Sequence, residues 1–340
     1  MTVHDTTNSK SEIPNSKFPD RGHLLTEQRN TSTAAIDALS VEQALRAINT
    51  QDMNVPRIVR DAIPAITKLV ETVVERMRRG GRLVYIGAGT SGRLGVLDAS
   101  ECPPTFHTDP DQVVGLIAGG DNALRQSSEG KEDEHDGAHA ELRRIRLNEN
   151  DTLVGIAAGG TTPYVWGALA YAREQGSATA LMTCVLAKTL MTRERAPVVK
   201  ANQPIAPPAP PRLPVAIDHI IELPVGPEAI TGSTRMKAGT ATKLALNMIS
   251  TATMIQLGKT WGNLMVDLRA TNAKLRDRAL RILMHQANLA HSQAEDLLDT
   301  AQGSVKLALV MARLDLSAHD AQRRLDESNG QLRPLIGPPR

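Results

Sequence analysis

The chain reads as an α/β protein, a three-layer αβα parallel sheet followed by a small helical C-terminal domain. Five short apolar runs carry that reading: Leu83 to Ile86, Val113 to Ala118, Leu153 to Ala157, Ala178 to Thr183 and His219 to Leu223, with helical patterns between most of them. Such alternation folds as parallel strands joined by helical crossovers. Aromatic residues make up only 2% of the 340. The core is therefore built from Ala, Val, Leu, Ile and Met, which suit helices packed on a parallel sheet buried on both faces.

In chain order, residues 1–25 are polar and lack the apolar stretch of a signal peptide, so they read as a disordered tail. Ser40 caps a short amphipathic helix around Ala44 and Ile48. Pro56 then opens a longer one through Ile58, Ile63, Ile66, Leu69, Val73 and Met77, and Gly80-Gly81 stops it. After the first strand comes Gly87-Ala-Gly-Thr-Ser-Gly92, and Leu94, Val96 and Leu97 restart a helical period, placing a helix start near Ser91. The stretch Lys188 to Pro214 breaks the pattern with a charge cluster (Arg193, Glu194, Arg195) and then Pro204, Pro207, Pro208, Pro210, Pro211 and Pro214, and reads as a solvated, polyproline-like surface loop. A long helix follows from Lys237 through Leu244, Leu246, Met248, Ile249 and Met254 to Gly258. Three more helical stretches come after Asn272, around Leu280 to Ala290, Leu307 to Arg313 and Ala318 to Leu325. The division expected is a tail over 1–25, a core domain over 26–270 with an insertion at 185–216, and a C-terminal domain over 271–335.

Composition excludes several classes of function. The formal net charge is +2, and no Lys/Arg cluster is interleaved with stacking aromatics, so there is no footprint for nucleic acid. No run approaches the ~18 apolar residues of a membrane-spanning helix. The two cysteines, Cys102 and Cys184, sit in no CxxC pattern, so neither a disulfide framework nor a zinc site is indicated, and a reducing cytoplasm is the natural compartment.

Three Gly- and hydroxyl-rich segments fall at strand ends, where ligands of parallel sheets bind. They are Gly87 to Arg93, Gly159-Gly-Thr-Thr-Pro163 and Thr231-Gly-Ser-Thr-Arg-Met-Lys-Ala-Gly-Thr240. The first precedes a helix whose opening N–H groups have no intrahelical partner, a site for an anion such as phosphate. Its Gly-x-Gly-x-x-Gly spacing also matches the dinucleotide fingerprint, but the next strand ends in Gly119-Gly120 rather than the acid that would hold a ribose. Thr90 and Ser91 suit a terminal phosphate monoester better than a pyrophosphate passing over bare glycine. With Ser91, Thr161, Thr162, Ser233, Thr234 and Lys237, the three segments could converge on one phosphorylated polyol; helix capping is the competing use of each hydroxyl. Glu101, before Cys102-Pro103-Pro104, stands where a rigid turn aims a carboxyl beside the first loop. Glu132 lies in a charge run in which spacing alone does not separate it from Glu129 or Asp133. Two carboxyls held in different protonation states form an acid/base pair.

Over roughly residues 26 to 335 the chain resembles the N-acetylmuramic acid 6-phosphate etherase family, of the sugar isomerase (SIS) fold group. The resemblance rests on Thr26-Glu-Gln-Arg-Asn, Ile36-Asp-x-Leu-Ser40, the run Gly87 to Phe106, Leu116-Ile-Ala-Gly-Gly120, Glu129-Gly-x-Glu-Asp133, Val225-Gly-Pro-Glu through Lys237, and Asn263-Leu-Met-Val-Asp through Asn272. It implies an SIS-type, flavodoxin-like sheet and removal of D-lactate from carbon 3 of N-acetylmuramic acid 6-phosphate, with no metal or organic cofactor. It also implies a homodimer whose site is completed near the subunit interface. By motif, Glu101 is the implied proton donor and Glu132 the second catalytic carboxylate, with Gly89, Thr90, Ser91, Gly160, Thr161, Thr162, Ser233, Thr234 and Lys237 around the phosphorylated substrate. Two features depart from the family: Gly159 replaces a usual Ser, removing a hydroxyl, and Cys184-Val-Leu with a Pro-rich insertion replaces a short Cys-Asn-Pro segment. A phosphosugar-binding regulator and a sugar phosphate isomerase are the rival readings; both glutamates are present, and release of lactate separates the etherase from the isomerase.

Overall fold

A computed structural model describes residues 21–126, 128–191, 213–268 and 272–340. Helices α1 (Val41–Asp52), α2 (Val55–Asp61) and α3 (Ile63–Arg78) precede β1 (Leu83–Gly87) and α4 (Gly89–Phe106). There follow β2 (Val113–Ile117), α5 (His139–Arg144), β3 (Thr152–Ile156), α6 (Pro163–Glu174), β4 (Ala178–Thr183), β5 (His219–Glu222) and α7 (Lys237–Gln256). A two-stranded ribbon, β6 (Thr260–Trp261) and β7 (Leu264–Met265), leads to α8 (Ala273–Ala287), α9 (His291–Thr300), α10 (Val305–Leu314), α11 (Ala318–Glu327) and α12 (Arg333–Ile336).

The five main strands are all parallel, in the order β2-β1-β3-β4-β5. Strand residues alternate between the two faces, as the period of two requires. Leu83, Tyr85, Val154, Ile156 and Met182 pack under α2, α3, α4 and α7. Val84, Ile86, Leu153 and Leu181 pack under α5 and α6 on the other face. Every residue of β1, β3 and β4 is buried, which makes the three-layer expectation correct and explains why these strands read as unbroken apolar runs. Fully burying one such Leu, Ile or Val contributes about 1.5–3 kcal/mol. Helix α4 lies unusually close to the sheet. A Cβ on Gly92 would stand 2.6 Å from Ile117 Cγ1 and 2.7 Å from Gly87 O.

The β1–β3 pair is clamped at its amino end. Asp151, fully buried, accepts from Arg82 N (2.9 Å), Arg82 Nε (3.0 Å), Arg82 Nη2 (2.6 Å) and Asn148 N (3.1 Å). Thr152 N donates to Arg82 O at 2.9 Å and starts the ladder.

Several boundaries differ from the sequence reading. The helix opened by Pro56 is two helices, because Pro64 restarts it at the first turn of α3 and Ala62 forms the joint. Residues 21–25, read as tail, form turns, and Leu24 is 1% exposed in the α5–α6 core; the rest of the tail lies outside the described residues. Residues 192–212 of the insertion also lie outside them. Its start is no solvated loop: Val185, Ala187 and Leu190 are buried, and Ala187 N donates to Glu222 Oε1 at 2.6 Å. Pro103 and Pro104 do not make a turn but lie within α4. Burial of Ala99, Cys102 and Phe106 along one face holds the helix through them until His107 ends it at φ 51°. The C-terminal unit begins before 271, since Trp261, Val266 and Leu268 belong to its core. It also includes α9, which its charged surface hid from the sequence pattern.

Asp151→Ala leaves a partly buried guanidinium and several N–H groups without an acceptor, and is expected to cost about 3 kcal/mol. A urea titration checks this; a midpoint unchanged from the parent protein would show that the clamp contributes nothing.

Candidate active site

The order β2-β1-β3 makes a switch point. The chain leaves β1 toward β2 on one side, while β3 pairs on the other, so the loops after β1 and β3 open a crevice between them. Gly87 and Ile156 are register partners, and Gly87 also pairs with Ile117. The segments 88–91, 118–126 and 157–162 therefore leave the sheet side by side.

Contacts around glycines show which segments meet. A Cβ on Gly239 would lie 3.5 Å from Thr90 Cγ2 and 3.6 Å from Thr234 O, so the first loop touches the third segment. One on Gly159 would lie 3.5 Å from Thr26 Oγ1 and 3.9 Å from Thr161 Oγ1, and one on Gly232 would lie 3.7 Å from Glu27 Oε2. Loop one, the start of α7, residues 26–27 and loop two thus form a ring around the crevice. Thr90, Ser91, Thr161, Thr162, Ser233 and Thr234 are all half-buried on it. Gly160, buried at φ 70°, has Leu190 against it and gives its carbonyl to Trp166 Nε1 at 2.9 Å, which holds loop two still.

The helix ends on the ring are not equivalent. No side chain caps α4, so the first N–H groups after Ala88 face the crevice without a protein acceptor from the capping position, whereas at α6 Pro163 has no N–H and Tyr164 N is taken by Glu132 O at 3.1 Å. Gly89, at φ 52°, is exposed with open space around its Cα. At α7 the place of an anion is already taken: buried Glu228 accepts from Lys237 N (3.0 Å) and Ala238 N (2.8 Å). Burial raises the Glu228 pKa, against the pull of those two N–H groups and of Lys237. Lys237, expected to meet the substrate, is 5% exposed, and its ammonium donates to Gln51 Oε1 at 3.3 Å. Burial lowers its pKa, against Glu228 and Asp52. It acts as a strut behind the third segment.

The two glutamates stand apart. Glu132 is half-buried, and its carbonyl accepts from Tyr164 N at 3.1 Å, fixing it on the first turn of α6 beside Thr162. Glu101 lies on α4 twelve residues beyond Gly89, about 18 Å along the axis at 1.5 Å per residue. It is exposed and lines a cleft of about 410 Å³ between α4 and α7, with Asp98, Lys243, Asn247 and Ser250. Burial raises the Asp98 pKa, and Ser250 Oγ donates to Asp98 Oδ1 at 3.2 Å in opposition. The crevice therefore brings Glu132 together with the hydroxyls but not Glu101. Cys102, beside Glu101, is pushed up to about 12 by burial and is no nucleophile at neutral pH. Among the described residues no cluster of His, Cys, Asp and Glu is arranged to hold a metal ion, and no helix is long and apolar enough to cross a membrane.

Sequence relatives decide what this crevice belongs to. The chain is 50% identical to an N-acetylmuramic acid 6-phosphate etherase of Prochlorococcus marinus strain MIT 9303, over 93% of each chain. The chain belongs to the N-acetylmuramic acid 6-phosphate etherase family. An etherase of an Exiguobacterium species is 46% identical over 92% of this chain and 99% of its own, and one of Mycolicibacterium smegmatis 46% identical over 94% and 99%. The profile of the glucokinase regulatory protein N-terminal SIS domain matches residues 65–173, from α3 to the end of α6. Among solved structures, a phosphoheptose isomerase of Neisseria gonorrhoeae aligns at TM-score 0.42 and 12% identity, over 63% of this chain and 98% of that one.

The etherase motif Thr26-Glu-Gln-Arg-Asn lies against the third segment. In the structure Asn30 Nδ2 donates to Pro227 O (3.1 Å) and Gln51 Oε1 (2.9 Å), and Thr33 Oγ1 donates to Ala229 O (2.8 Å). The segment is a strap across the crevice. Its polar run without periodicity was the only sequence signal.

Gly159→Ser is expected to fold normally, because its Cβ makes only ordinary contacts, and to tighten phosphate binding several-fold through the added hydroxyl. Gly92→Ala is expected to cost about 1–3 kcal/mol and weaken phosphate binding, because its Cβ pushes α4 off Ile117. Thermal melts and phosphate titrations of both variants check the pair.

Proposed function

We propose that the protein cleaves the D-lactyl ether of N-acetylmuramic acid 6-phosphate, giving N-acetylglucosamine 6-phosphate and D-lactate, in the recycling of cell-wall amino sugar in the cytoplasm. What carries the proposal is the ring itself: the uncapped start of α4 and six hydroxyls around one crevice, with Glu132 on it, in a chain half identical to named etherases over nearly its whole length. The uncapped N–H groups after Ala88, with Thr90, Ser91, Thr161 and Thr162, hold the phosphate; Ser233 and Thr234 face it from the third segment.

With the sugar in its open-chain form, the carbon 1 aldehyde acidifies the proton on carbon 2. Glu132 takes that proton, the carbon 3–oxygen bond breaks, and Glu101 protonates the departing lactate oxygen. Water then adds across the carbon 2–carbon 3 double bond, its hydroxyl going to carbon 3. The residues present ask for no metal or organic cofactor.

The 18 Å along α4 exceeds what a hexose 6-phosphate spans from phosphorus to carbon 3. The protein is thus proposed to be a homodimer in which Glu101 of one protomer serves the crevice of its partner. Leu97, 49% exposed beside Glu101, gives that face an apolar residue to cover.

Glu101→Ala and Glu132→Ala are each expected to lower lactate release at least ~100-fold with folding intact. Mixing the two variants and allowing subunit exchange should restore about a quarter of the parent activity, since half the dimers are mixed and each has one complete site. No recovery would place both groups in one protomer. Turnover in oxygen-18 water should place the label on carbon 3 of the sugar. Tight binding of the sugar phosphate without lactate would move the reading to a regulator.

A further inference from the structure

The strap that closes the crevice carries a carboxylate that the reaction above does not use. Thr26 is fully buried, and its hydroxyl donates to Glu27 Oε1 at 3.3 Å, which turns the second oxygen, Oε2, toward Gly232 on the third segment. The Thr26 hydroxyl in turn flanks Gly159 together with Thr161. Glu27 makes no ion pair among the described residues and lies in turns rather than at a helix end that it could cap. Its backbone is held on both sides: Glu27 N donates to Leu24 O at 3.0 Å, and Asn30 and Thr33 tie the following turn to residues 227–229. An exposed carboxylate fixed this firmly on the rim of a binding crevice is an acceptor in search of donors.

We infer that Glu27 binds the sugar end of the substrate, accepting hydrogen bonds from ring or chain hydroxyls or from the acetamido N–H; this rests on the phosphosugar reading above. Electrostatics sets the orientation. The positive end of α4 is on loop one, while the Glu27 carboxylate stands against Gly232 on the third segment. A phosphate is drawn to the first and repelled by the second. A carboxylate's two oxygens match the paired donors of a polyol and give nothing to a phosphate, so Glu27 discriminates between sugar phosphate and bare phosphate.

The test titrates the parent protein, Glu27→Gln and Glu27→Ala with N-acetylglucosamine 6-phosphate and, separately, with inorganic phosphate, and measures kcat and KM for lactate release. Removing a charged acceptor is expected to weaken the sugar phosphate roughly 10- to 100-fold and to raise KM correspondingly. Inorganic phosphate should change less than about two-fold, and the melting temperature should fall slightly in Glu27→Ala, which takes the acceptor from the buried Thr26 hydroxyl, but not in Glu27→Gln, which keeps one. Glu27→Gln, which keeps one acceptor oxygen, should fall between. Equal sugar-phosphate binding by parent and Glu27→Ala overturns the inference alone. Parallel loss of both ligands overturns it too, since that marks a structural role. A parent protein that binds phosphate but no hexose 6-phosphate removes the phosphosugar reading and this inference together.

Discussion

The parallel pairing of β1 with β3 is the constraint on which the crevice depends. At one end the buried Asp151 carboxylate holds Arg82 and the start of β3 in register. Five residues later that register delivers Gly87 and Ile156 side by side. The side-chain period of a strand is two, so a slip of one residue would exchange the two faces and turn both loops away from each other. The uncapped start of α4 meets loop two because a charge pair at the far edge of the sheet leaves no alternative pairing. A buried charge pair is poor evidence for stability as such, but setting register is the use best attested for such pairs.

Three helix ends meet this crevice, and they differ in charge. That of α4 is left without a cap, which costs the isolated fold unsatisfied donors and creates a place for an anion, while at α6 Pro163 has no N–H and Tyr164 N donates to Glu132 O. That of α7 is neutralised from within by Glu228, so the third segment contributes hydroxyls and shape rather than a positive end. Lys237 stands beside that buried carboxylate and donates to Gln51 Oε1. Both thiols are pushed up to about 12 by burial and stay chemically silent.

The parts of the fold that were legible in the chain are those governed by short-range rules. All five strands lie within a residue of their apolar runs, and in β1, β3 and β4 burial on both faces makes those runs continuous. Ser40 caps α1 as read, its hydroxyl accepting from Gln43 N. The failures have identifiable causes. Pro103-Pro104 spelled a turn, but packing of Cys102 and Phe106 outweighed the lost backbone hydrogen bonds, so Glu101 rides on a helix. The α9 segment His291–Thr300 buries only Ala294 and Leu298, too few to show a period. In the crevice, the glycine and hydroxyl loops were readable because each sits at a strand end. Glu228, Gln51 and the strap were not, since their roles arise from contacts between segments distant in the chain.

The strap's bonds to residues 227 and 229 span 197 and 196 positions. At synthesis rates of about 5–20 residues per second, roughly 10–40 s separate the emergence of Asn30 from that of its acceptor. Through that interval β1, α4 and β3 can assemble locally, while the crevice still lacks one wall. The strap leaves the ribosome early and takes its place late, and a nascent chain with a formed sheet does not yet have a complete crevice.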